Sequence, residues 1–175
     1  ISRAIKMYIR YKSETKEEEL GESNEISGKR KGNFRFHINY KEGESWVFAN
    51  RFEITTINFN QQKENGYMLY QDVQYKPLFG KITFSSRYVL FNTPTYDSRI
   101  YAYESDVLYG YSIPAYYGKG NKIYLVAKCS IIRNLDFWIR VAHTIYTDRK
   151  ILKSGWDEIN GNKMTEIKLQ LRYKF

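Results

Sequence analysis

The chain has 175 residues, a formal net charge of +9 and a single cysteine, and none of its apolar runs approaches the roughly 20 residues that a membrane-spanning helix needs. The single cysteine excludes an internal disulfide framework and a cysteine-based metal site. Aromatic residues make up 17% of the chain, a share that favours sheet faces and membrane interfaces.

Apolar and polar residues alternate along the whole chain, which predicts β-strands with two different faces. Nine strands are predicted, in chain order: residues 5–11, 34–40, 46–57, 67–76, 82–90, 100–113, 123–131, 137–146 and 164–175. Several of them reach ten residues or more, whereas strands of ordinary globular domains have about five or six. Strands of that length favour a membrane-spanning or large-barrel geometry, because a spanning strand needs about 9 to 11 residues.

The predicted connections have two sizes, as in a barrel with tight turns at one end and longer loops at the other. The short ones are residues 41–45, 77–80 and 133–134, and the longer ones are residues 13–31, with six acidic residues, 58–66, 92–98, 114–121 and 147–162. Strict hairpin alternation counted back from Phe175 puts the turns at 133–134 and at 77–80 on opposite ends. This conflict indicates that the strand count is wrong by one or two near residues 109–120, where Pro114 is unfavourable in a central strand.

The end of the chain carries the most distinctive pattern. Apolar residues occupy alternate positions back from the terminal phenylalanine: Phe175, Tyr173, Leu171, Leu169 and Ile167. This pattern resembles the C-terminal assembly signal of bacterial outer-membrane proteins. The resemblance implies that the last strand is presented to the barrel-assembly machinery and closes the barrel against the first strand.

A narrower resemblance covers residues 99–175. It rests on four motifs: RIYAYE at 99–104, IPAYYGKG at 113–120, NLDFW at 134–138 and DEINGN at 157–162. These motifs resemble the barrel region of Bacteroidota outer-membrane proteins that carry a helix-hairpin-helix segment on their N-terminal side. The helix-hairpin-helix part has no counterpart in this sequence, so no nucleic-acid role is carried over to this segment.

The polar faces of the predicted strands are rich in charge. Nine charged residues are predicted to face the interior of the barrel: Arg10, Arg35, Arg51, Arg87, Glu104, Asp106, Arg140, Lys168 and Arg172. Glu104 and Asp106 are expected to pair with the basic residues around them, since buried charges are normally paired. Over all predicted inward positions, fourteen basic residues against six acidic ones predict a positive interior that favours anions.

No catalytic or metal site is predicted. The two histidines, His37 and His143, have no histidine, cysteine or carboxylate at metal-ligand spacing. The nearest resemblance to a catalytic pair is His143 with Asp136 or Asp148, but alternation puts His143 on the apolar face. The sequence therefore predicts a protein that is not an enzyme and that needs no cofactor.

The fold predicted from these patterns is all-β: an antiparallel transmembrane β-barrel, or its C-terminal eight to ten strands. Residues 1–175 form a single barrel domain in this interpretation, either whole or as the C-terminal fragment of a larger barrel, because the sequence opens at Ile1 without a leader segment.

The predicted function is that of a barrel in the outer membrane of a Gram-negative bacterium. It acts either as a porin-like conduit for solutes or as a membrane anchor and scaffold for an upstream or partner domain. The expected partners are outer-membrane lipid and lipopolysaccharide, the barrel-assembly machinery during insertion, and further barrel strands or partner subunits. The alternative is a soluble calycin-like barrel that binds an apolar ligand, since such a barrel has the same alternation with the two faces exchanged.

Overall fold

The structure is a computed structural model that describes residues 4–20, 25–132, 134–153 and 155–175. Eight long strands form one antiparallel sheet in chain order: β1 (Ile5–Leu20), β2 (Glu25–Glu42), β3 (Trp46–Phe59), β4 (Gln62–Tyr75), β5 (Ile82–Thr93), β8 (Gly118–Ile132), β9 (Leu135–Tyr146) and β12 (Lys163–Tyr173). Two short hairpins lie in the connections: β6 (Ile100–Tyr101) with β7 (Ala115–Tyr116), and β10 (Ile151–Leu152) with β11 (Ile159–Asn160). The prediction of an all-β fold with a large antiparallel sheet is confirmed.

The sheet has two open edges. Within the described part of the chain, β1 pairs only with β2, and β12 pairs only with β9. The sheet is therefore not closed into a barrel. None of the described residues forms a helix long and apolar enough to cross a membrane.

Two predicted connections are wrong because the strands continue through them. Residues 13–20 and 25–31, predicted as an acidic loop, extend the β1–β2 hairpin, in which Glu14 lies directly opposite Lys31 and Glu18 pairs with Lys29. Opposite charges across a strand pair stabilise it without apolar residues. Residues 21–24 of that predicted loop, and residue 133 of the predicted short turn, lie outside the described residues.

The predicted loop at 58–66 is a two-residue turn. Asn60 and Gln61 both have positive φ, 46° and 59°, as a type I′ hairpin turn requires. The Asn65-Gly66 dipeptide, which reads as a turn signal, lies within β4. Gly66 leaves room there for Ser98, because a Cβ at residue 66 would lie 3.1 Å from the Ser98 Cβ.

The predicted strand at 100–113 is also wrong. Only Ile100–Tyr101 is paired as a strand, and a single bridge joins Glu104 to Ser112. The interruption agrees with the positive φ of Tyr109 and with Pro114. Without this ninth strand the conflict over the turns disappears: the connections at 43–45, 76–81 and around residue 134 lie at one end of the sheet. The long connections at 94–117 and 147–162 lie at the other end, together with the two-residue turn at 60–61.

The two faces of the sheet have inverted polarity. We call inner the face covered by residues 97–107, the inward segment, and outer the opposite face. Buried polar and charged side chains of the strands lie on the inner face: Arg51, Glu53, Thr55, Asp72, Arg87, Thr93, Arg140 and Thr144. Large apolar side chains are exposed on the outer face, among them Leu69, Leu90, Ile123 and Leu125. One apolar cluster does lie inside, where Met68, Val89 and Phe91 pack against Ile100.

The close approach of β8 and β9 at Gly120 gives a prediction about the sheet. A Cβ at Gly120 would lie 2.3 Å from the backbone oxygen of Ile145, whereas a Cβ at Gly28 would lie 3.7 Å from Thr15. We expect Gly120→Ala to lower the free energy of unfolding by about 1–3 kcal/mol, because the backbone must shift, and Gly28→Ala to leave it nearly unchanged. Urea titrations of both refolded variants measure the difference. Equal stability of the two variants would contradict this packing of β8 on β9.

Candidate functional site

The inward segment crosses the inner face from strand to strand. Three of its carbonyl groups accept hydrogen bonds from arginines of the sheet. Arg51 of β3 donates to the Tyr101 carbonyl, Arg87 of β5 donates to the Tyr103 carbonyl, and Arg140 of β9 donates to the Ser105 carbonyl. In a flat sheet β3 and β12 would be about 24 Å apart, yet residues 101–106 span at most about 17 Å. The shorter length of the segment fits a sheet whose inner face curves around it.

Glu104 is the centre of the largest group of paired charges. Its side chain has no exposed surface. Its carboxylate accepts hydrogen bonds from Lys122 Nζ at 2.7 and 2.8 Å, from Tyr116 Oη at 2.6 Å and from the Arg140 guanidinium. Arg140 is 2% exposed and also pairs with Glu166 of β12. Burial, together with the charge of Glu104, raises the pKa of Tyr116 well above its ordinary value, so the Tyr116 hydroxyl stays a donor.

Asp106 fixes the far end of the inward segment. Lys168 Nζ of β12 donates to its Oδ2 at 2.7 Å, and the backbone N–H of Val107 donates to its Oδ1 at 2.8 Å. Burial alone would raise the pKa of Asp106, but these hydrogen bonds and the charges of Lys168 and Arg140 outweigh it and hold the pKa below its ordinary value. The carboxylate is therefore ionised at neutral pH, as its ion pair with Lys168 requires.

Two further groups of charges lie on the inner face of β2 to β5. The Glu53 carboxylate accepts hydrogen bonds from Arg35 at 2.8 Å, from Asn33 at 2.7 Å and from Arg51. Asp72 forms a bidentate pair with Arg87, at 2.5 and 2.6 Å. Such fork-to-fork pairs fix both groups in one geometry.

Tyrosines complete the inner face, and the sequence analysis did not find their role. The Arg87 guanidinium lies 3.7 Å from the ring centroid of Tyr70, and Arg140 lies 5.3 Å from that of Tyr124. The Tyr124 hydroxyl accepts from the backbone N–H of Ser105. Alternation places both tyrosines on the charged face, which was the available signal, but a tyrosine is compatible with either face.

The predicted interior residues lie on the inner face. Seven of them extend from strands, whereas Glu104 and Asp106 belong to the inward segment and not to a strand. Arg172 pairs with Asp136, beside the ring of Trp138. Arg10 lies opposite Arg35 and has no hydrogen bond or ion pair among the described residues.

The outer face holds the residues of the predicted assembly signal. Ile167, Leu169 and Leu171 are 62–64% exposed on β12, and the ring of Phe175 packs against Tyr173 beyond the last strand. A cluster of aromatic rings lies near the short turns on the same face: Trp46, Phe48, Tyr75 and Phe84, with centroids 4.6–6.1 Å apart in contacting pairs. One end of the outer face thus carries an aromatic rim.

The histidines lie apart from each other. His37 stacks on Tyr8 on the inner face, and His143 Nδ1 lies 2.9 Å from the Thr165 hydroxyl on the outer face. Within the described ranges, no three histidine, cysteine or acidic side chains are grouped so that they would hold a metal ion. Asp136 and Asp148 are bound to Arg172 and Arg149 rather than to His143.

Comparison of the chain with protein-family models, curated proteins and solved structures finds no match. Arguments about function therefore rest on the two faces of the sheet and on the inward segment.

Glu104 and Glu166, which both pair with Arg140, form a matched pair of carboxylates for testing the site. Glu104 has no exposed surface, whereas the Glu166 side chain is 47% exposed. We expect Glu104→Gln to lower the free energy of unfolding by about 3–5 kcal/mol and to expose the inward segment to protease, because Arg140 and Lys122 lose a buried counter-charge. Glu166→Gln should cost about 1 kcal/mol or less. Limited proteolysis and urea titration report both effects, and equal losses would mean that the inward segment is not held by Glu104.

Proposed function

We propose that this chain forms the wall of an outer-membrane β-barrel, with its outer face towards lipid and its inner face around a polar interior. The observation that carries the proposal is the inverted polarity of the sheet: Glu104 and Arg140 are buried, while Leu169 and its outer-face neighbours are exposed. In water, exposure of so many large apolar side chains is unfavourable. In a bilayer the same arrangement is favourable on both sides of the sheet.

The width of the apolar band supports a membrane. Outer-face apolar residues run from Ile167 to Tyr173 on β12 and from Trp46 to Ile54 on β3. This is about 20–27 Å along the strands, or about 15–21 Å across a membrane for strands tilted by about 40°. Bacterial barrels have an apolar band about 25 Å tall with aromatic residues at its borders. Asn50 and Gln71 interrupt the band as a directly opposed pair.

The filled inner face favours an anchor or scaffold over an open pore. The inward segment occupies the inner face, where Ser98 and Glu104 have no exposed surface. An eight-stranded barrel is just wide enough for its side chains to fill the interior. Charges on this face also disfavour the alternative of a soluble barrel, because a barrel that binds an apolar ligand needs an apolar interior.

A second candidate, a narrow conduit for small anions, is favoured by one observation. A cavity of about 210 Å³ remains between the inward segment and the inner face of β1 to β3, and basic residues predominate in its lining. A positive constriction attracts anions and repels cations.

Lipid-borne quenchers test the proposed faces. The three tryptophans lie on the outer face (Trp46), on the inner face (Trp138) and in the connection after β10 (Trp156). In liposomes of brominated phosphatidylcholine, we expect strong quenching of a variant that retains only Trp46, because its ring meets lipid. A variant that retains only Trp138 should be quenched weakly. Equal or reversed quenching of the two variants would contradict the proposal.

Arginine substitutions in β12 test the same assignment by stability. Leu169 is exposed on the outer face, and its neighbour Gln170 is half-buried on the inner face beside Trp138. Leu169→Arg should destabilise the inserted protein by about 2–4 kcal/mol if it lies near the bilayer midplane, and Gln170→Arg should cost less than about 1 kcal/mol. Unfolding titrations in liposomes compare them. A larger loss for Gln170→Arg would mean that the faces are reversed.

A further inference from the structure

The cavity beside β1 has an unbalanced set of charges. Five basic side chains line it: Arg10, Lys12, Lys31, Arg35 and Arg99. It also has two carboxylates, Glu14 and Glu53, and each is already engaged, Glu14 by Lys12 and Glu53 by Arg35 and Arg51. In the described part of the chain, Arg10, Lys31 and Arg99 therefore face one cavity without an ion pair to a carboxylate, although Glu14 lies opposite Lys31 in the strand register.

The neighbours of these three cations increase the imbalance. Arg10 lies directly opposite Arg35 in the β1–β2 register, and like charges at such positions destabilise a strand pair. Within the described ranges, the one hydrogen bond of Lys31 Nζ goes to the carbonyl oxygen of Asp97, at 2.5 Å, while the Asp97 carboxylate pairs with Lys29. An anion in the cavity would reduce the repulsion between Arg10 and Arg35 and would give Lys31 a counter-charge.

The guanidinium of Arg99 is already held in place by its neighbours. Its Nε donates to the Tyr101 hydroxyl at 2.7 Å, its Nη1 donates to the Tyr96 carbonyl at 2.5 Å, and its guanidinium stacks on the Tyr96 ring at 3.8 Å. Nη2 has no hydrogen-bond partner among the described residues. A fixed guanidinium with free donors binds phosphate oxygens at a low entropic cost.

We propose that Arg10, Lys31 and Arg99 form a binding site for a phosphate group at the loop end of the inner face. Three cations, one of them a fixed planar fork, match a tetrahedral oxyanion that carries about two negative charges. The phosphate comes either from a free anion in the interior or from a lipid headgroup at its mouth. The inference deepens the proposed function and rests on it, since the cavity is part of a barrel interior only if the sheet is a barrel wall.

Calorimetry with inorganic phosphate tests the site in protein refolded in non-ionic detergent. Arg10→Gln alters a side chain that has no hydrogen bond or ion pair among the residues the structure describes, so it should preserve the fold and weaken binding by about fivefold. The double variant Lys31→Gln, Arg99→Gln should weaken binding by about tenfold or more, since it removes two charged donors. Lys63→Gln, an exposed residue of β4, makes the same charge change outside the cavity and should leave affinity unchanged.

Vesicles distinguish the source of the phosphate. If free phosphate binds and only the cavity variants weaken it, the ligand is a free anion. If free phosphate does not bind, but the protein binds phosphatidylglycerol vesicles more tightly than phosphatidylcholine vesicles, and only the cavity variants weaken this preference, the ligand is a lipid headgroup. Binding in neither assay, or equal effects of Lys63→Gln and the cavity variants, overturns the site.

The tryptophan quenching experiment separates this failure from failure of the proposed function. Quenching of the variant that retains only Trp46, together with no phosphate binding by the wild-type protein, would contradict the phosphate site alone. Phosphate binding with Trp46 unquenched would contradict the barrel wall and leave the cation cluster as a phosphate site.

Discussion

Buried charge on the inner face is the constraint on which the rest of the structure depends. A carboxylate such as Glu104 without exposed surface is tolerated only when its partners are fixed in place. Those partners come from β8, β9 and the connection before β8, so the network ties the inward segment to two strands that pair with each other and not with it. The course of the inward segment and the exposure of the apolar side chains on the outer face both follow from placing the charges on the inner face.

The same constraint explains why the inward segment has so little regular structure. Its carbonyl oxygens at residues 101, 103 and 105 are used by arginines of the sheet instead of by a neighbouring strand. Each guanidinium has several donors, so one arginine can hold a carboxylate and a carbonyl at once. Arg87 does this with Asp72 and Tyr103, and Arg140 with Glu104 and Ser105.

Alternation of residue types predicted the sheet and its two faces well because β-pleating has a fixed period of two. Inward arginines such as Arg51 and Arg87 could therefore be assigned to one face from the sequence. The same rule failed at residues 100–113, where Tyr101 and Tyr103 imitate an amphipathic strand although the backbone is held by side chains. It also failed at residues 13–20, where a highly charged sequence resembles a loop although Glu14 lies opposite Lys31 and Glu18 pairs with Lys29 of β2. Both failures arise from contacts between distant residues, which local periodicity does not contain.

The two open edges have a consequence for the chain when it is on its own. Among the described residues, β12 leaves one side of eleven residues without a strand partner, and β1 does the same along sixteen. Natural proteins rarely leave edges of this length uncovered, because unpaired N–H and C=O groups template the addition of further strands. Here the edges accompany an outer face of exposed leucine and isoleucine, so edge pairing and apolar contact act in the same direction. Away from its native surroundings, we therefore expect copies of the chain to form ordered aggregates, in which edge strands pair between copies and apolar outer faces pack together.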